Sequence, residues 1–119
     1  EAAYNDAQGV TAAFNLNLLQ RINNELDANI DVSQFEHAAY YNPSQGRVEI
    51  FLVSNSDQAV TIGDETFRIA EGESILTEYS HKYSIEDFAA LAARAEMSLE
   101  RYWTDAQNRF AVLYFEHAK

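Results

Sequence analysis

The apolar residues of this chain change their spacing near Val32 and change it back near Ser84, and these two switches limit what it can fold into. Between Val10 and Leu26 the apolar positions Val10, Phe14, Leu18, Leu19, Ile22 and Leu26 recur at intervals of three and four. That is the period of one helix face. Asn15, Gln20, Asn23 and Asn24 fall off the stripe, Thr11 is a candidate cap with Gly9 just outside it, and "DANID" (27–31) ends the helix. From Val32 the period becomes two. "FEHAAYY" (35–41) and "RVEIFLVS" (47–54) flank the turn "NPSQG" (42–46), and "QAVTI", "TFRIA" and "SILTEYS" follow, parted by "GDE" and "EGE". Short strands joined by tight turns containing Gly63 and Gly72 predict an antiparallel meander.

The helical period returns in "SIEDFAALAARAE" (84–96), where Ser84 is a natural N-cap and Glu86 and Asp87 suit the positive end of the helix dipole. Phe88, Leu91, Ala92 and Ala95 are expected to form its buried face, and "LERYWTD" and "RFAVLYFEH" around "AQN" predict a closing hairpin. The expected fold is therefore α+β: a long N-terminal helix, an antiparallel β-meander, a second helix and a C-terminal β-hairpin. No shift in composition marks a linker.

With 119 residues the chain has the length of one domain and can bury a core. It has no cysteine, which removes disulfides and thiolate chemistry. Its net charge of −11, with eight scattered Lys and Arg, excludes the clustered basic surface that nucleic acid requires. No apolar run reaches membrane-spanning length and no signal-peptide layout opens the chain, so no membrane is expected and the cytoplasm is the expected compartment. The opening "EAAYNDAQGV" lacks an initiator Met and runs straight into a helix, which reads as a piece of a longer protein.

Few residues carry chemistry. The glycines are Gly9, Gly46, Gly63 and Gly72, so no G-x-G pair lets a backbone approach a nucleotide cofactor. His37 and His117 each follow a Glu, but neighbours on a strand point to opposite faces, and no H-x-H or H-x-x-x-H occurs. Structural or surface histidines are expected, and no metal. Paired acids suit glycoside hydrolysis, yet 19 acidic residues make chance proximity certain. Ser80 beside His81 is not a triad, and the nucleophile-elbow pattern is absent.

"ILTEYSHKYS" (75–84) is the exception. On an extended strand Glu78 and Ser80 share one face, and Thr77, Tyr79 and His81 the other. A carboxylate beside a hydroxyl suits a ring with two nitrogens, such as imidazole. A polar strand end and a ligand site both fit this pattern.

The stretches "AYNDAQGVTAAFNLNLLQRIN", "RVEIFLVS", "LTEYSHKYS" and "RYWTDAQNRFAVLYF" resemble, in order, the C-terminal part of the S-adenosylmethionine-dependent histidine-specific methyltransferases of hercynine formation and ergothioneine biosynthesis. The G-V-T-A-x-F-N and T-E-x-S-x-K-[YF] stretches carry most of the likeness. The resemblance implies that residues 1–82 belong to a substrate-binding lobe and 83–119 to the tail of a Rossmann-like transferase domain. S-adenosylmethionine would then be bound upstream of Glu1. It further implies that Glu78 and Ser80 hold the imidazole ring of an amino-acid substrate, that Tyr4 bonds its carboxylate, and that Ile50, often Met in the family, walls the pocket. Lys82 and Tyr83 match the motif without an assigned role. The isolated piece is expected to be inactive, and any dimer or strand-swapped form of it to be an artefact of the cut. The alternative is a stand-alone, non-catalytic binding or interaction module that offers an edge strand or groove to a partner.

Overall fold

The computed structural model describes residues 4–6 and 9–119. The chain divides into two compact units, residues 1–81 and 82–119. Both are built from short antiparallel sheets with one helix each, an α+β fold with an N-terminal helix and a C-terminal hairpin.

The first unit opens with α1 (Val10–Leu26), followed by a single 3-10 turn at Val32–Gln34. Gly9, not Thr11, is the N-cap of α1; its φ of 67° lies in the left-handed region that glycine adopts without strain. Thr11 sits inside the first turn. The helix ends at Asp27, whose positive φ breaks the helical path and whose N–H closes onto the Asn23 carbonyl.

Five strands follow: β1 (Phe35–Asn42), β2 (Arg47–Ser54), β3 (Gln58–Ile62), β4 (Glu65–Ile69) and β5 (Ser74–His81). They do not form one sheet. β1, β2 and β5 pair in that order, while β3 and β4 leave to make a separate hairpin turned by Gly63 at a φ of 61°. β2 is the central strand and its burial alternates strictly, with Val48, Ile50, Leu52 and Ser54 inside. This period of two is what the sequence showed, because one face of the sheet meets α1 and the hairpin.

The core joins Leu19 of α1 to Ile30, Phe35, Leu52 and Val60, with Leu16, Ile22, Ile62 and Ile69 packed against them. Each such aliphatic side chain contributes about 1.5–3 kcal/mol when fully buried. The hairpin β3–β4 thus closes the core that the sheet begins. A second, smaller cluster unites Ala39, Val48 and Ile50, and Tyr4 lies on it.

The helix departs from the predicted stripe. Val10, Phe14 and Leu26 are exposed, whereas Asn15, off the predicted stripe, is buried beside Leu19. Asn23 also works inward, since its amide exchanges hydrogen bonds of 2.7 and 2.8 Å with the backbone of Ile30. Polar side chains here tie the helix to the sheet.

The second unit holds α2 (Ile85–Ala93) and the hairpin β6 (Met97–Thr104) and β7 (Ala111–His117). Ser84 caps α2 as expected, its hydroxyl accepting the Asp87 N–H at 3.0 Å. The helix stops short of Glu96, where a positive φ turns the chain into β6. Phe88 packs between Tyr83 and Phe115, with ring centroids 5.3 and 5.8 Å away. No helix among the described residues is long and apolar enough to cross a membrane.

Candidate functional site

β2 and β5 pair with Val48 opposite Ser80 and Ile50 opposite Glu78. Residues directly opposite in a sheet project from the same face. Ser80 and Glu78 therefore stand on the side of the sheet that buries Val48 and Ile50. Tyr4 rests on that same cluster, and its hydroxyl lies 2.8 Å from the Ser80 hydroxyl. Tyr4, Ile50, Glu78 and Ser80 are thus gathered on one face, although 76 positions separate Tyr4 from Ser80.

Beside them is an open recess of about 200 Å³. Thr11, Phe14, Asn15 and Leu18 of α1 form one wall, and Ile50, Thr77 and Glu78 the other. Of the four candidates, Ile50 and Glu78 line this recess, while Tyr4 and Ser80 stand next to it on the shared sheet face. Ile50 is 2% exposed, so it is both pocket wall and core. Glu78 is exposed. Phe14 is 76% exposed, leaving an apolar ring at the mouth of the recess.

The local backbone is not a plain strand. Ile50 pairs with Glu78 but Phe51 pairs with Leu76, so Thr77 is an extra residue, a β-bulge. Strict alternation puts Thr77 on the face opposite Glu78. The bulge instead turns it toward α1, where its hydroxyl donates to Asn15 Oδ1 at 2.8 Å. Thr77 and Glu78, adjacent in sequence, therefore both line the recess. Tyr79 stays on the far face, beneath the Arg47 guanidinium at 3.7 Å.

Other motif residues have structural tasks. His37 binds Asn15 and the Tyr4 carbonyl. His117 lies 3.9 Å from Glu96 on the surface. Tyr83 packs on Phe88, and the cap of α2 is Ser84. Among the described residues no three of His, Asp and Glu gather so as to hold a metal ion. Gly46 and Gly63 lie in the hairpin turns β1–β2 and β3–β4, Gly72 lies in the turn from β4 to β5, and Gly9 caps α1. None occupies a strand-to-helix turn of the kind that cradles a nucleotide-like cofactor, so the described residues do not fit S-adenosylmethionine.

Sequence reading missed Asn15 and Thr77. A polar residue at helical spacing reads as solvent-facing, and one added residue in a strand carries no composition signal.

Residues 1–117 match the family described as histidine-specific methyltransferase, SAM-dependent, and the chain belongs to that family. It is 40% identical over 112 residues to the histidine N-alpha-methyltransferases of Mycolicibacterium smegmatis and Mycobacterium tuberculosis. The match covers 92% of this chain and 35% of each relative, so the chain spans about a third of the length of the curated relatives it matches.

Proposed function

We propose that this chain supplies the substrate-recognition part of an enzyme that methylates the α-amino group of histidine, as a step toward ergothioneine. The carrying observation is the β2–β5 register, which sets Glu78 and Ser80 on one face beside Tyr4. In this reading the Glu78 carboxylate accepts an imidazole N–H and the Ser80 hydroxyl serves the second ring nitrogen. Tyr4 donates to the substrate carboxylate, and Ile50 provides the apolar wall. A site so built discriminates against ligands that lack the matching groups, because its own polar atoms would be left unpaired.

S-adenosylmethionine supplies an electrophilic methyl group when bound. Since the described residues do not fit it, we assign its binding to the part of the enzyme that the longer relatives have beyond the matched stretch. Residues 1–82 are then substrate lobe and 83–119 the end of the transferase domain. What this chain contributes is orientation: a histidine fixed by its ring and carboxylate has one direction left for its amine. Such positioning accounts for a large share of rate in displacement reactions. No metal enters this scheme, and the cytoplasm is the proposed compartment. By itself the chain turns nothing over.

The test is methyl transfer by the complete enzyme, with labelled S-adenosylmethionine and all twenty amino acids, read by mass spectrometry. Trimethylated histidine is the expected product, and the purified 119-residue chain should label nothing. Labelling of a different amino acid would sink the substrate assignment. Turnover by the isolated chain would sink the division of labour.

A further inference from the structure

Asn15 is 6% exposed in the middle of α1, facing a sheet. A buried amide is costly unless its groups are paired. Here they are. Asn15 Nδ2 donates to the Phe51 carbonyl at 3.1 Å and lies 2.9 Å from His37 Nδ1, while Oδ1 accepts from Thr77 at 2.8 Å. His37 Nε2 in turn lies 2.7 Å from the carbonyl oxygen of Tyr4.

The amide and imidazole protons in this network have one consistent arrangement, while the single Thr77 hydroxyl proton has two acceptors in reach, Asn15 Oδ1 at 2.8 Å and the Ile50 carbonyl at 3.1 Å. The Phe51 carbonyl only accepts, so the nitrogen of Asn15 must face it. Its second hydrogen then points at His37 Nδ1, which must accept. The proton of His37 is therefore on Nε2, from which it is donated to the Tyr4 carbonyl. Turning the Asn15 amide over would set its oxygen against the Phe51 carbonyl. The network thus works with a neutral imidazole.

Both ends of the network reach the site. Thr77 is the bulged residue next to Glu78, and Tyr4 carries the hydroxyl that meets Ser80. We propose that His37 and Asn15 are positioning residues that hold Tyr4 and Glu78 at a fixed separation. The site thereby selects a ligand with a ring at one end and a carboxylate at the other. The proposal rests on the reading of Tyr4, Glu78 and Ser80 as ligand contacts. His37 acts only through Tyr4 and Asn15.

The test uses the complete enzyme and compares His37→Phe, His37→Gln and Thr77→Val, each with the KM and kcat for histidine and the KM for the methyl donor. Loss of a buried hydrogen bond is worth roughly tenfold, so His37→Phe should raise the histidine KM on the order of tenfold and leave the donor KM within about twofold. His37→Gln should recover most of the loss, because a glutamine nitrogen can donate to the Tyr4 carbonyl from nearly the same place. In combination with Tyr4→Phe the two losses should be less than additive, since a misplaced tyrosine matters less once its hydroxyl is gone. Thr77→Val keeps the side-chain shape and should also raise the histidine KM. It carries the test if His37→Phe does not fold.

A Gln variant no better than Phe, fully additive losses, or an unchanged histidine KM in Thr77→Val would each overturn the proposal. If the unaltered enzyme neither binds nor methylates histidine, the site reading falls, and the proposal with it. If the unaltered enzyme is active and the variants match it, only the proposal falls.

Discussion

Ile50 and Glu78 face each other across β2 and β5, one 2% exposed and the other open to solvent. Core and candidate ligand contact are therefore a single cross-strand pair. A change in either should have a different signature, which makes the two roles separable by experiment.

Glu78→Ala in the complete enzyme removes the proposed ring-binding carboxylate without touching the core. Hydrogen bonds to charged groups contribute about 1.5–3 kcal/mol, so histidine affinity should fall by about 10- to 100-fold. Titration calorimetry with histidine and, separately, with the methyl donor checks this. Equal losses for both ligands would remove Glu78 from the site.

Leu52 is fully buried in the strand that carries Ile50, one turn of the pleat from the recess. Truncation to Ala leaves a cavity among Leu19, Phe35 and Val60 and should cost about 2–5 kcal/mol. Urea denaturation of the chain measures it. A cost below about 1 kcal/mol would mean that this cluster is not the core.

In the second unit, Asp105 Oδ1 accepts the backbone N–H groups of Arg109 and Phe110 at 2.6 and 3.0 Å. These bonds, the one from Phe110 foremost, hold its carboxyl below the usual aspartate value. A carboxylate with a depressed folded value stabilises the fold above its ordinary pKa, and that contribution is lost as pH falls through the folded value. The turn between β6 and β7 should therefore loosen below about pH 4, and the Phe110 amide should exchange faster there. Asp105→Ala should remove that pH dependence. Amide exchange followed by NMR reads both effects.

Much of the fold was legible because it is local. Ser84 announced α2, Gly63 its hairpin, and the alternation in "RVEIFLVS" the central strand. The pairing of β5 with β2 was not, because β3 and β4 lie between them in the chain and no local signal says which strand waits for which. For the site, alternation correctly placed Glu78 and Ser80 together, since the bulge lies upstream of both. It failed at Thr77 for the same reason. Asn15 was hidden by its polarity: only the sheet that supplies its partners makes it an inward residue. Tyr4 came from the family resemblance alone.

The bulge at Thr77 also resets the phase of β5. Ile75 before it pairs with Leu52, and Glu78 and Ser80 after it pair with Ile50 and Val48, so both stretches meet the buried face of β2 although Ile75 and Glu78 are three positions apart. Substitutions around Ile75 can track the packing of the hairpin while Glu78 and Ser80 hold their aim. Deleting Thr77 would join the halves into one continuous strand. With Ile75 still paired to Leu52 and Leu76 to Phe51, Glu78 would remain opposite Ile50 on its present face, and the strand would lose the hydroxyl that meets Asn15 Oδ1. Loss of this single residue would leave the sheet and the aim of Glu78 in place and remove one hydrogen bond between β5 and α1.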